Sequence, residues 1–140
     1  MVEPEYKRCV LDSYALIAYF EGEAGSEQVK KLLEQAVTGE CQLFMSVVNL
    51  GEVLYIVERE RGLPQAQRTL ARIDELPISI IDADRHLTLA AAHIKAQCPI
   101  AYADCFAAAL AQTKEAALIT GDPEFKRAEI DAMLPILWLK

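Results

Sequence analysis

Apolar residues follow two rhythms along this chain. Five short unbroken runs, within "RCVLD", "CQLFMS", "PISIID", "AALIT" and "ILWL", are too brief for helices and have the composition of strands buried on both faces. Between them the apolar spacing changes to three and four. "SYALIAYFEGE" reads as a helix with Ser13 at its start. "SEQVKKLLEQAV" reads as a second, capped by Ser26, with Val29, Leu32, Leu33 and Ala36 on one face and Gly39 past its end. A long helix runs from about Val47 to Arg61 and stops at Gly62; the next, "PQAQRTLARIDEL", carries Pro64 in its first turn. Asp84 is placed to cap "DRHLTLAAAHIKAQ", and the alanine-rich "AYADCFAAALAQTK" and a short helix near "PEFKRAEI" complete the set. Strands alternating with helices build βα units, so the class is α/β with a mainly parallel sheet covered on both faces.

In such a sheet, ligands bind outside the carboxyl ends of the strands. Asp12 and Asp122 both stand at such ends, after "CVL" and within "GDP". Each has a plain alternative, Asp12 as a helix cap and Asp122 as a turn residue. Asp104 is harder to explain away. Ile100, Ala101, Ala107, Ala108 and Ala111 surround it at helical offsets, and the helix offers no cation before Lys114. A carboxylate on so apolar a face calls for a partner, a proton or a metal. Glu52 is the first acid in "SVVNLGEVLYIVERERG" and shares a face with Asn49 and Ile56, away from the stripe of Leu50, Val53, Leu54 and Val57. It is either solvated or turned into a polar pocket.

The length of 140 residues fits one domain, 1–140, and no Gly/Ser-rich or Pro-rich tract marks a linker. "MVEPEYKR" has no apolar core of a leader, and no run approaches the roughly 18 apolar residues that span a bilayer, so a cytoplasmic protein without membrane contact is expected. Cys9, Cys41, Cys98 and Cys105 lack CxxC spacing and read as reduced core thiols. The net charge of −7 is awkward for a protein that grips phosphates, unless several of its acids hold divalent cations.

Two strand-end aspartates and two acids on largely apolar helices make a donor set of oxygens alone, which suits Mg²⁺ or Mn²⁺. His86 and His93 lie seven apart on one helix with no ligand partner at neighbouring spacing, and read as surface or packing residues.

"CVLDSYALIAYF", "SVVNLGEVLYIV", "AYADCFAAALA" and "LITGDPEF" resemble, in order and over nearly the whole chain, the four acidic blocks of the PIN-domain ribonucleases, and most closely those of VapC toxins. The family's four acids fall on Asp12, Glu52, Asp104 and Asp122, all candidate catalytic and metal-binding residues; Ser13 and Thr120 match its neighbouring hydroxyls, and Asn49 joins them as polar support. Ala101 departs from the pattern, because many relatives place a small hydroxyl residue there. The resemblance implies a three-layer α/β/α sandwich on a five-stranded parallel sheet. It also implies Mg²⁺- or Mn²⁺-dependent cleavage of RNA, a homodimer and a cognate antitoxin. Arg68 and Arg72, four apart on one helix, are candidates for a substrate or partner surface, although exposed helices alternate charge for ordinary reasons. A dehalogenase-type phosphatase would want a second aspartate where Tyr14 stands, and a receiver domain a paired acid at its first strand end. The remaining rival is a PIN-like module that binds RNA or protein without turnover.

Overall fold

The computed structural model describes residues 6–140; of the charged opening stretch, residues 1–5 lie outside that span. Five strands form one sheet: β1 (Arg8–Leu11), β2 (Gln42–Ser46), β3 (Ile78–Ile81), β4 (Ala117–Thr120) and β5 (Ile136–Trp138). All pairings are parallel, in the order β3-β2-β1-β4-β5. Among the described residues the seven helices are α1 (Ser13–Glu21), α2 (Ser26–Val37), α3 (Val47–Arg61), α4 (Leu63–Asp74), α5 (Arg85–Gln97), α6 (Tyr102–Thr113) and α7 (Phe125–Asp131).

The unbroken apolar runs have their reason in the two cores. Along β1, Cys9 and Leu11 point into a cluster with α1 to α4, while Val10 points into one with α5, α6 and α7; in β4, Ile119 and Leu118 divide the same way. With period-two side chains and helices on both faces, neither face of a central strand can be polar. The alanines of α6 have a packing role: residues from Asp104 to Ala111 are buried without a break, because small side chains let the helix lie close on sheet and α5 together. All four cysteines are buried thiols, as expected of core residues.

Some local expectations give way to tertiary packing. The start of α1 is as read from the sequence, with Ser13 its first residue and Asp12 its N-cap, whereas α2 differs. Gly25, not Ser26, is the N-cap of α2, with φ of 93°, and a Cβ there would lie 2.6 Å from Leu139 Cβ; the Ser26 hydroxyl instead donates to the Tyr19 carbonyl. On α3 the buried stripe is Asn49, Val53 and Val57, spaced by four, which moves Asn49 off the face shared by Glu52 and Ile56. Asp84 caps α5 as anticipated, accepting from the Leu87 N–H at 2.8 Å. His86 and His93 are exposed on that helix. Among the described residues, no helix is long and apolar enough to cross a membrane.

Candidate metal centre

From β1 the chain steps outward through β2 to β3, and from β4 it steps the other way to β5. The order therefore reverses between β1 and β4, and a crevice opens at their carboxyl ends. Leu11 is in register with Ile119, and the Asp12 N–H donates to the Ile119 carbonyl, so Asp12 and the turn bearing Asp122 are side by side. The first turn of α6 brings Asp104 to the same crevice and the second turn of α3 brings Glu52. The resulting cleft, of about 410 Å³, is lined by Asp12, Ser13, Glu52, Asp104 and Asp122, and also by Glu23 and Glu124; Tyr14, Ile17, Ile56 and Ala101 form the rest. All four acids singled out in the sequence therefore meet in one place. None of the lining residues is Lys or Arg.

The acids are held by specific contacts. Asp12 Oδ1 accepts from the Ala15 N–H at 2.8 Å, so it caps α1 while facing the cleft, and the cap reading and the site reading are both true of it. Asp122 serves its turn in the same double way. Its Oδ1 accepts from the Glu124 N–H at 3.0 Å, and its own N–H donates to Thr120 Oγ1 at 3.0 Å. The Ser13 hydroxyl donates to Glu52 Oε1 and so fixes that carboxylate against α1. Asn49 donates through Nδ2 to the Ala103 carbonyl at 3.1 Å, tying α3 to the first turn of α6 next to Asp104. Its Oδ1 is buried without a partner among the described residues, which costs on the order of 1–3 kcal/mol. Ala101 offers α6 no side-chain cap.

Electrostatics at the site are dominated by burial without a counterion. Asp12 is 1% exposed and Asp104 7%. Burial pushes the Asp12 carboxyl up to about 7, aided by Asp104 and Asp122, while Thr120 and the Ala15 N–H pull the other way. Burial likewise raises Asp104 to about 7, with Asp122, Glu52 and Glu124 adding to the shift. Ion pairs join Arg8 to Glu115, Arg61 to Glu21 and Arg127 to Asp131, and none of these includes a cleft acid.

One carboxylate oxygen each from Asp104, Asp122 and Glu124 lie within 4.8 Å of one another, close enough to share an ion. Asp12 and Glu52 line the same cleft outside this triangle. Glu124 is the residue that sequence reasoning missed. In "GDPEF" it looks like one more turn acid, and only the Asp122 side chain's bond to its N–H shows that the turn folds it inward. The donor set is carboxylate oxygen throughout, grading from buried Asp12 and Asp104 to exposed Glu124, in a cleft with no Lys or Arg in its lining, and so fits a hard divalent ion. Arg68 and Arg72 do not line the cleft: Arg68 bonds Gln65 on its own helix, and Arg72 lies 4.6 Å over the Phe20 ring.

Comparison with known proteins agrees with this geometry. No curated protein matches the chain by sequence. Among solved structures, the chain is similar to VapBC2 from Rickettsia felis bound to a promoter DNA fragment, with a TM-score of 0.74 at 19% identity over 95% of this chain and 99% of that one. It is similar also to VapBC-1 from nontypeable Haemophilus influenzae (TM-score 0.68, 22% identity, 94% and 97% covered). A third is VapC20 of Mycobacterium tuberculosis, described as a sarcin-ricin loop cleaving toxin (TM-score 0.67, 17% identity, 86% and 94% covered). These likenesses establish the fold. The family model for the PIN domain matches residues 9–131, a span that contains Asp12, Glu52, Asp104, Asp122 and Glu124, and the chain belongs to the PIN-domain family.

Proposed function

We propose that this chain is a divalent-metal-dependent endoribonuclease and the toxin of a toxin–antitoxin pair. The observation that carries the reading is the convergence of Asp12, Glu52, Asp104, Asp122 and Glu124 on one cleft without a lining cation. A pure binding module gains nothing from burying unpaired carboxylates, which weaken a fold unless something charged meets them.

Asp12, Asp104, Asp122 and Glu124 would hold Mg²⁺ or Mn²⁺. When bound, such an ion lowers the pKa of a water and stabilises charge developing on phosphorus. The chain's own groups position the rest. Ser13 occupies one oxygen of Glu52 and leaves the other free to accept a proton from the attacking water. Thr120 and Ala15 hold Asp12, and Asn49 keeps the Glu52 helix registered against the Asp104 turn. In-line hydrolysis at phosphorus leaves a 5′-phosphate and a 3′-hydroxyl.

The toxin role is supported by the similar structures that are toxin–antitoxin complexes and by the RNA-cleaving toxin among them. An antitoxin covering the cleft, a homodimer, a cytoplasmic setting and a partner surface around Arg68 and Arg72 belong to the same proposal, as does treating 1–140 as one PIN domain.

The test is incubation of purified protein with a mixed cellular RNA pool in Mn²⁺, Mg²⁺ or EDTA, beside Asp104→Asn. Discrete fragments that require metal and vanish in the variant are expected. Metal binding by calorimetry with no fragment from any RNA would point instead to the binding module without turnover.

A further inference from the structure

The cleft has a second wall that metal chemistry does not need. Opposite in character to the carboxylates are Tyr14, Ile17 and Ile56, which line the same cavity. Ile17 lies one helical turn after Tyr14 on α1, and Ile56 one turn after Glu52 on α3, so both helices present an acid or its neighbour and then an apolar side chain. A phosphate bound through a hard cation has no use for such a surface, whereas the flat apolar face of a base does.

Tyr14 is the exposed member of that wall. It follows two buried residues, Asp12 and Ser13, yet is itself 39% exposed. Its seat is Gly121, the residue between Thr120 and Asp122. A Cβ at Gly121 would meet Tyr14 Cε1 at 2.5 Å, Cζ at 3.0 Å and the hydroxyl at 3.1 Å. The glycines with left-handed φ are Gly22, Gly25, Gly39 and Gly62, so Gly121 is not there for backbone freedom. Space is what it provides, and the Tyr14 ring takes the space. An aromatic ring is thereby held half-open in the cleft, against the turn that carries Asp122 and Glu124.

We propose that Tyr14, seated on Gly121, is the stacking platform for an unpaired nucleobase beside the scissile phosphate. The assignment rests on the nuclease reading above. With no Lys or Arg in the lining, attraction to the RNA backbone at the site depends on bound divalent ions, and stacking supplies a share of substrate binding that does not. A base inside a duplex is already stacked on its neighbours and cannot take the platform.

The test uses the full chain and an oligonucleotide carrying a cleavage site mapped in the RNA-pool experiment. Loss of one base–aromatic stack predicts that Tyr14→Ala raises KM roughly 5- to 150-fold. It should leave kcat nearly unchanged and leave calorimetric Mn²⁺ binding intact. Tyr14→Phe keeps the ring and stays near wild type. Gly121→Ala displaces the ring, so it raises KM in the wild-type background and adds nothing to Tyr14→Ala. An abasic site introduced in turn on either side of the cut should, on one side, abolish the difference between wild type and Tyr14→Ala. Annealing the complementary strand suppresses cleavage. An unchanged KM in Tyr14→Ala, or a loss equal on abasic and intact RNA, overturns the platform, and a variant that loses Mn²⁺ makes Tyr14 a prop for the acids instead. A wild type that binds Mn²⁺ and cuts nothing in the pool overturns the nuclease reading itself.

Discussion

Asp104→Asn removes a charge that the metal-free fold holds at a cost, and the same substitution should therefore raise stability while ending cleavage. The Asp104 carboxyl moves from its ordinary 3.8 to about 7, chiefly through burial. At 1.36 kcal/mol per pKa unit the ceiling on that cost is about 4 kcal/mol. Because the cleft opens to water and can relax, about 1–2 kcal/mol is the expected gain, or a rise in Tm of roughly 3–8 °C for a chain of this size. The pH dependence has a definite sign. A carboxyl whose folded pKa exceeds its unfolded value binds more protons when folded, so stability declines as pH rises from about 4 to 7, and the whole penalty applies above that range. Asp12 behaves alike, and Asp104 is one of the groups raising it, so the variant relieves both. Thermal unfolding in EDTA should thus show Asp104→Asn more stable than wild type at pH 8 and equal to it at pH 4. Mn²⁺ should reverse the order: at a hundredfold excess over Kd the wild type gains about 2.7 kcal/mol, which the variant forfeits in large part. A variant less stable than wild type in EDTA at pH 8 would refute the claim that an uncompensated charge sits there.

Three further variants probe other parts of the structure. Glu124→Gln removes one corner of the carboxylate triangle with Asp104 and Asp122; calorimetry should find Mn²⁺ affinity lowered about tenfold or more, by analogy with the loss of supporting groups at metal sites, and unaltered affinity would exclude Glu124 from the ligands. Gly25→Ala places a methyl within 2.6 Å of Leu139 Cβ at a φ of 93°; strain and overpacking together should cost about 2–4 kcal/mol in urea unfolding, and a loss under 1 kcal/mol would show that the C-terminal residues yield easily. Arg68→Glu combined with Arg72→Glu forfeits the Phe20 contact and reverses the charge of that face of α4. It should weaken antitoxin binding while sparing Mn²⁺ binding, and unchanged affinity for both antitoxin and RNA would retire this surface.

How far the site could be read from the sequence depended on whether a residue's reason was local. Asp104 betrayed itself because an acid among alanines has no local explanation, and burial without a cation proved to be its condition. The βα alternation was legible for a similar reason, since strands buried on both faces have no polar positions to spare. Glu124 was hidden because a turn acid in "GDPEF" needs no further explanation, and the bond that folds it inward belongs to the Asp122 side chain. The cap of α2 was missed by one position, because Gly25 sits where a contact distant in sequence, with Leu139, leaves no room for a side chain. Strand order was likewise out of reach, although the reversal between β1 and β4 is what unites Asp12 with Asp122.

The net charge of −7 argues against RNA binding only if it is spread evenly over the surface. Six carboxylates, those of Asp12, Glu23, Glu52, Asp104, Asp122 and Glu124, line a single cleft of about 410 Å³. A site so arranged repels phosphate when empty of cations and attracts it once divalent ions outweigh the local charge. Affinity for RNA is then conditional on the ion, whereas the apolar wall around Tyr14 is insensitive to it. The two halves of the cleft thus have separable signatures: removal of metal should abolish phosphate-dependent binding, and loss of the Tyr14 ring should weaken base-dependent binding at saturating metal.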